Sequence, residues 1–296
     1  VESVKRQTLS YLRDLFQQRG LRPKNKLGQN FLIDLNLLDV LLNGAELDRT
    51  DLAVEIGTGT GSLTAWLAER AGGVFSVEID PAFHALAREA LRDRERVRLV
   101  HADILKNKNH LNPGVLEQLD EARRAWGCSR LKLVANLPYA VATPVISNFL
   151  LSDLPFERMV VTVQWEIAEK LTAEPATKPY GALAVLVQSI ADVELLRTLP
   201  PSVFWPRPQV ASAIVRIRPN AAKRALIPDV ARFRNFLRDL YSHRRKNLRG
   251  ALAGLPSGRV DKALVDARLR DLGLDGTVRA ETLDVQQHLR LCADFG

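Results

Sequence analysis

Leu52-Ala53-Val54-Glu55-Ile56-Gly57-Thr58-Gly59-Thr60-Gly61 is an apolar run that breaks into alternating glycines, and a helix-forming stretch, Ser62 to Ala71, follows at once. Strand, glycine turn and helix open a βαβ unit, so this decapeptide decides the fold class. Without Cβ atoms, Gly57, Gly59 and Gly61 let the backbone approach a ligand closely. The turn sits at the carboxyl end of a strand, where open α/β sheets bind their ligands. By itself, such a turn is equally well a tight connection and nothing more.

Outward from it the alternation continues. Val74 to Ile79 reads as a second strand, and Asp80-Pro81 opens a helix with a capping carboxylate and a proline at its first position. Val97 to His101, Leu131 to Ala135 and Met159 to Val163 read as further strands, with Thr143-Pro144 starting a helix through Leu151. Leu183 to Ile190 reads as helix, and Val193 to Leu199 and Ser212 to Ile217 as the strands that finish the sheet. The pattern predicts a doubly wound, mostly parallel α/β sheet.

Upstream, the segment 1–22 carries an amphipathic helix, Val4 to Gln18, with Leu9, Leu12, Leu15 and Phe16 on one side; Asp34 caps the next helix. Lys106 to Arg130 interrupts the alternation, and Val115 to Trp126 within it has helical spacing. From Pro219 onward the strand signal stops. Phe233 to Leu240, Asn247 to Ala253, Val260 to Leu272 and Leu283 to Ala293 read as helices. The expected division is a ligand-binding α/β domain over 1–218 and a small helical domain over 219–296.

The 296 residues, 46% of them hydrophobic, are enough to bury a sizeable core. No apolar stretch has the length of a membrane span, and the first residues are charged rather than signal-like, so the expected location is the cytoplasm. Cys128 and Cys292 stand far apart without histidines at ligand spacing, which supports neither a disulfide nor a metal site. The net charge of +8 points to a polyanionic partner, because Lys and Arg bound to phosphates release condensed counterions. The charge is concentrated in His243-Arg244-Arg245-Lys246-Asn247-Leu248-Arg249, with Lys24 and Lys26 near the start of the fold.

Two acids extend the reading of the glycine turn. Glu78 ends the second strand about twenty residues downstream, where a carboxylate accepts from both hydroxyls of a ribose. Asp103 follows the third strand, in place to accept from an adenine amino group. Successive strand ends thus carry Gly, Glu and Asp in the order that reads a nucleoside. A dinucleotide fingerprint spaces its glycines G-x-G-x-x-G, whereas here they run G-x-G-x-G, which favours S-adenosylmethionine over a nicotinamide cofactor.

The fourth strand ends in Asn136-Leu137-Pro138-Tyr139: an amide, a directed carbonyl and an aromatic face. An adenine amino nitrogen is a poor nucleophile because its lone pair is delocalised into the ring. Acceptors aimed at its N–H bonds favour the pyramidal form and free the pair. The Asn136 side-chain oxygen supplies one acceptor and the Leu137 carbonyl the other, its direction fixed because Pro138 holds Leu137 extended. Tyr139 stacks on the base, a contact of about 1–3 kcal/mol, and Phe204 is the candidate for the opposite face. A sulfonium methyl is already activated, so this chemistry requires no protein nucleophile and no metal.

Leu27-Gly28-Gln29-Asn30-Phe31-Leu32, the Glu-x-Gly-x-Gly-x-Gly turn, Glu78, Asp103, Asn136-Leu137-Pro138-Tyr139, Pro201-Ser202-Val203-Phe204-Trp205-Pro206-Arg207-Pro208-Gln209-Val210 and Arg244-Arg245-Lys246 occur in this order. In this the chain resembles the KsgA-type ribosomal RNA adenine dimethyltransferases. Antibiotic-resistance methyltransferases of large-subunit rRNA share the first half of the pattern; the Phe-x-Pro-x-Pro-x-Val segment and Arg-Arg-Lys run favour the small-subunit group.

The resemblance implies a Rossmann-like S-adenosylmethionine-dependent methyltransferase fold and N6,N6-dimethylation of two adjacent adenosines near the 3′ end of small-subunit rRNA. It places Gln29, Asn30, Leu32, Gly57, Gly59, Glu78, Asp103, Ile104 and Asn136 at the cofactor. The expected partner is the immature small ribosomal subunit, met by a monomer, and the placement of charge puts Lys24, Lys26, Arg207, Arg244, Arg245, Lys246 and Arg249 on RNA phosphates. Trp165, Ala184 and Ala211 depart from the residues usual in the family, which are Lys, Ser and an acid. The other readings are an assembly factor that acts by occupying RNA, a large-subunit rRNA methyltransferase and, more distantly, a nicotinamide dehydrogenase.

Overall fold

The computed structural model describes residues 7–24, 27–256 and 260–296. Helix α1 (Leu9–Gln18) is capped by Thr8 and buries Leu12 and Phe16; its expected first turn, from Val4, lies outside the described residues. Strand β1 (Phe31–Leu32) precedes α2 (Leu35–Ala45), where Asp34 caps by accepting from the Asn36 amide. The glycine turn then joins β2 (Asp51–Ile56) to α3 (Ser62–Arg70). Next come β3 (Gly73–Glu78), α4 (Pro81–Ala90) with the expected Asp80 cap, and β4 (Val97–His101).

The interruption at 106–130 is structured. A hairpin of β5 (Leu105–Asn107) and β6 (His110–Leu111) leads into α5 (Pro113–Ala125), which Asn112 caps. Val115, Leu119 and Ala122 form the buried face of α5, while Leu116 is only half-buried. Strand β7 (Arg130–Asn136) follows, then α6 (Ala142–Leu151). Thr143 is not the cap of α6. The turn in which the Val141 amide donates to Pro138 O carries the chain straight into the helix, so Val141 is the cap residue. Pro144 then falls in the first turn, where a missing N–H leaves nothing unpaired.

The chain continues with β8 (Phe156–Gln164), α7 (Trp165–Leu171), α8 (Ala182–Gln188), β9 (Ala191–Leu199), β10 (Phe204–Trp205) and β11 (Ser212–Pro219). Seven strands form one sheet in the order β4-β3-β2-β7-β8-β11-β9. Pairing is parallel from β4 through β8, and β11 runs antiparallel to β8 with Ser212 opposite Gln164. Every residue of β2 and β3 is buried, as expected of parallel strands covered on both faces. The strand order reverses between β2 and β7, so the glycine turn and Asn136 leave neighbouring strands at the same edge. That reversal is the general ligand site of a doubly wound sheet.

Compactness divides the chain into Val1–Ala168 with Glu194–Pro219, and Glu169–Val193 with Asn220–Gly296. The boundary expected at 218/219 therefore needs a correction: 169–193 belongs with the C-terminal helices. The cause is α8, whose buried Ala184, Val185 and Val187 pack toward α10 (Val230–Ser242) and α13 (Val285–Phe295). The remaining helices of this unit are α9 (Ala221–Ala225), α11 (Leu248–Leu252) and α12 (Lys262–Asp271). His288 lies fully buried in it, stacked on Tyr241 and 3.1 Å from its hydroxyl; burial pushes the imidazole down to about 4.

Candidate active site

A cavity of about 310 Å³ opens at the carboxyl ends of β2, β3 and β7. Its wall takes Gln29, Asn30 and Leu32 from the segment at β1, Gly57 and Gly59 from the glycine turn, and Glu78 from the end of β3. Asp103 and Ile104 come from the connection after β4, and Asn136 and Pro138 from the end of β7. Every residue expected at the cofactor lies on this one wall. Two close approaches lock the segments together. Gly57 has φ +88°, and a Cβ there would sit 3.0 Å from Pro138 Cγ; Gly28 has φ +65°, and its Cβ would sit 3.0 Å from the Tyr139 amide nitrogen. Side chains at either position would force the glycine turn or the 27–32 segment away from Asn136-Leu137-Pro138-Tyr139.

Glu78 is held by two backbone amides, Gly59 N to Oε2 at 2.8 Å and Asp80 N to Oε1 at 2.9 Å. Burial still raises its pKa, with those amides opposing. Each oxygen keeps a further lone pair for a hydroxyl donor. Asp103 Oδ1 accepts from the Leu105 amide at 2.8 Å, which orients an otherwise exposed carboxylate at the cavity rim. Asp80 is buried, but hydrogen bonds from Lys24, Gln29 and the Ala82 amide outweigh that burial and hold its carboxyl below the usual range.

Glu55 is part of the same wall, although its place inside a strand gave it no assignment from sequence. Its Oε2 accepts from Thr64 Oγ1 and Ser76 Oγ, both at 2.6 Å, and Ser76 Oγ is 2.6 Å from Thr58 Oγ1 in the glycine turn. Burial pushes the Glu55 carboxyl up to about 8, the two hydroxyls only partly opposing it. It is therefore a neutral acid at pH 7, tying the turn to β2 and β3. Gln7 was also missed: it donates to Thr60 Oγ1 at the cavity wall, a contact that sequence spacing does not signal.

On the acceptor side, Asn136 Nδ2 donates to Asn30 O at 2.7 Å, which leaves the amide oxygen as the free acceptor. Tyr139 is half-buried, its hydroxyl 2.5 Å from Ser212 Oγ, so the ring is tethered to the start of β11. Burial raises the Tyr139 pKa, and the phenol stays neutral. The Leu137 side chain, only 1% exposed, anchors the turn in the core. Phe204 departs from expectation. It is 2% exposed, pairs with Leu32 across β10 and β1, and packs in the cluster with Leu41, Leu67 and Val160. It is a core aromatic here and forms no face of the pocket.

The description "Ribosomal RNA adenine dimethylase" is that of the family model matched by residues 20–292. The chain belongs to this family. A "Ribosomal RNA small subunit methyltransferase A" of Pediococcus pentosaceus is 39% identical over 280 residues, which span 94% of this chain and 92% of the relative. That of Halothermothrix orenii is 35% identical over 275 residues, 93% of this chain and 88% of the relative. Among solved structures, a dimethyladenosine transferase from Plasmodium falciparum is similar with TM-score 0.71 at 22% identity, covering 88% of this chain and 96% of its own. The 23S rRNA methyltransferase ErmE is similar with TM-score 0.62 at 25% identity, covering 90% and 99%. The fold is thus the Rossmann-like fold of methyltransferases, with a helical C-terminal region.

The cations expected on RNA fall into two kinds. Lys24 is bound to buried Asp80 at 2.8 Å, and Arg249 to Asp266 at 2.6 Å. Arg244 is bound to Glu281 at 2.6 Å and donates to the carbonyl of Lys178 at 2.7 Å. These three make ion pairs within the chain, so contact with a phosphate would compete with a carboxylate already in place. Arg207, Arg245 and Lys246 are exposed and have no ion-pair partner among the described residues; Lys26 lies outside the described residues. Of the residues departing from the family pattern, Ala184 is buried in α8 and Trp165 is half-buried at the start of α7. Ala211 accepts from the Trp165 amide at 2.9 Å. Among the described residues no cluster of three or more His, Cys, Asp or Glu is placed to hold a metal ion, and no helix is long and apolar enough to cross a membrane.

Proposed function

We infer that this protein is an S-adenosylmethionine-dependent enzyme that converts two adjacent adenosines near the 3′ end of small-subunit rRNA to their N6,N6-dimethyl forms. The observation that carries the reading is the shared wall: the nucleoside-reading turn and the acceptor tetrapeptide touch through Gly57 and Pro138 beside one cavity. S-adenosylmethionine, when bound, supplies a methyl group activated by its sulfonium charge. Glu78, its oxygens set by two backbone amides, accepts from the ribose hydroxyls, and Asp103 accepts from the adenine amino group of the donor.

At the acceptor, Asn136 Oδ1 and the Leu137 carbonyl take the two N–H bonds of the target adenine. They localise its lone pair and aim it at the donor side of the cavity. Tyr139, tethered through Ser212, is the stacking platform. The target amino group is hidden in a duplex, so the substrate is an unpaired loop or an extruded base. Each transfer breaks the S–CH3 bond, leaves the donor as a neutral thioether and releases one N6 proton to solvent. After the first a single N–H remains, and with a fresh donor, rotation about the C6–N6 bond returns the lone pair for the second. The enzyme acts as a cytoplasmic monomer on immature small subunits, gripping phosphates with Arg207, Arg245 and Lys246.

The test is incubation of the protein with labelled methyl donor and under-methylated small subunits, then mapping and mass spectrometry of the labelled nucleosides. Dimethyladenosine at two neighbouring positions is the expected result. Label on the large subunit, or a product that stays monomethylated at long times, would refute the assignment.

A further inference from the structure

The hairpin of β5 and β6 has no part in the chemistry above, yet it is built onto both halves of the site. Its root is Asp103-Ile104, two residues of the cavity wall; Asn112 closes that root, its amide donating to Ile104 O at 2.8 Å and its side chain to Asp103 O at 3.0 Å. Its far side is braced by α6, the helix launched from the acceptor tetrapeptide: Asn148 Nδ2 donates to Lys108 O at 3.2 Å. The tip is fixed from within, because Asn107 Oδ1 accepts from the Asn109 amide at 2.9 Å and lies 3.0 Å from His110 Nδ1. Leu111 plugs the base of β6 into the core.

On this rigid frame the side chains that carry charge are left out. Lys106 and Lys108 are exposed, and neither ammonium group has a hydrogen bond or ion pair among the described residues, the one contact of Lys108 to Asn148 being through its backbone carbonyl. The sequence holds no acid between Asp103 and Glu117, so their field is uncompensated locally. Elsewhere in the chain exposed cations are often paired, as in Arg19–Glu89 and Arg124–Asp120. Two unpaired ammonium groups on a braced hairpin, Lys106 on β5 and Lys108 in its turn, are suited to an anion that repeats along a chain, and little entropy is lost in ordering the backbone that carries them.

We propose that the Lys106–Lys108 hairpin is an RNA-binding finger that holds the phosphodiester backbone next to the adenosine presented to Asn136. The inference rests on the methyltransferase reading, since that reading is what brings RNA to this edge of the cavity. Phosphate contact positions a strand without reading its bases, so the finger contributes affinity and register and leaves the transfer step untouched.

The experiment compares the full-length wild type with Lys106→Gln/Lys108→Gln. Methylation of under-methylated small subunits, RNA affinity across a salt series and the rise in Tm on adding S-adenosylmethionine are all measured. The expected result is a KM for subunits raised about 5- to 10-fold, kcat within about twofold and an unchanged Tm rise. The plot of log affinity against log salt should flatten by about 1.4 if both lysines meet single-stranded phosphates.

An unchanged KM and slope would overturn the proposal. So would a loss of the Tm rise with KM intact, which would make the hairpin a prop for the cavity wall. Weaker binding to subunits but not to protein-free 3′ RNA would assign the finger to a ribosomal protein instead, and also overturns it. Absence of methyl transfer by the wild type would refute the enzymatic reading, while the salt slope would still judge the hairpin.

Discussion

Strand β2 buries a carboxylate near each end, and the two are treated in opposite ways. Asp51, at the amino end, meets Lys132 Nζ at 2.9 Å and Arg130 Nε at 2.7 Å and accepts from the Asp48 amide. The network continues through Glu157, Arg158 and Glu46 along the same edge of the sheet. Hydrogen bonds from Arg158 to Glu46, and from Thr50 and Arg130 to Asp48, hold both carboxyls below their usual range. Glu55, four residues on, has hydroxyl donors alone and is pushed up to about 8 by burial. At the amino edge charge is neutralised inside the chain. At the carboxyl edge Asp80 meets Lys24, but Glu55 and Glu78 are oriented by hydroxyl and amide donors with no cation on them among the described residues, which is what a ligand site needs and a stabilising network avoids.

Five variants probe this contrast. Asp51→Ala strands a buried lysine at the amino edge and should cost about 3–5 kcal/mol in urea unfolding, while turnover per folded molecule stays as it was. A loss of turnover at full stability would mean that the two edges are not separable. Asn136→Ala at the carboxyl edge should do the reverse. Methyl transfer is expected to fall by roughly 10² or more, the order seen when one oriented hydrogen-bonding group is removed from a transition-state site, with RNA affinity and stability nearly unchanged.

Glu55→Gln sharpens the electrostatic side of the comparison. The folded value of about 8 lies above the ordinary 4.5, so the folded state holds a proton that the unfolded chain has released across that interval. The stabilising contribution is present below about pH 4.5 and is lost as pH rises to about 8. Glutamine does not titrate. Urea midpoints of wild type and variant should therefore diverge between pH 5 and 8 in favour of the variant, and parallel curves would show that Glu55 is ionised in the fold. The smallest effects separate paired from unpaired cations. Arg244→Gln, which breaks the clamp on Glu281 and Lys178 O, should lower Tm by about 2 °C. Arg245→Gln/Lys246→Gln should leave Tm alone and flatten the salt dependence of RNA binding by about 1.4.

Much of the molecule was legible before any coordinates. The sheet strands, the caps at Asp34 and Asp80, the helix inside the insertion and the glycine, Glu78 and Asp103 part of the cavity wall follow from local signals: apolar runs of strand length, Asp ahead of a helix, and Gly, Glu and Asp at successive strand ends. The failures share a cause. Phe204 sits in a motif-like loop, but whether its ring faces a pocket or the core depends on β10 pairing with β1, segments far apart in sequence. What sequence could not show for Lys24, Arg244 and Arg249 is that folding brings Asp80, Glu281 and Asp266 to them. The boundary at 218/219 missed 169–193 because a helix does not announce which neighbours will cover it.

Sequence alone determined the alternation of strands and helices and the chemical types at the strand ends, because hydrophobic period, capping and glycine geometry act within a few residues. Only the tertiary structure decided which carboxylates meet a cation and which are left for a ligand, and that Gly57 touches Pro138. Those outcomes depend on strand order and burial, and neither is a property of any short stretch of chain.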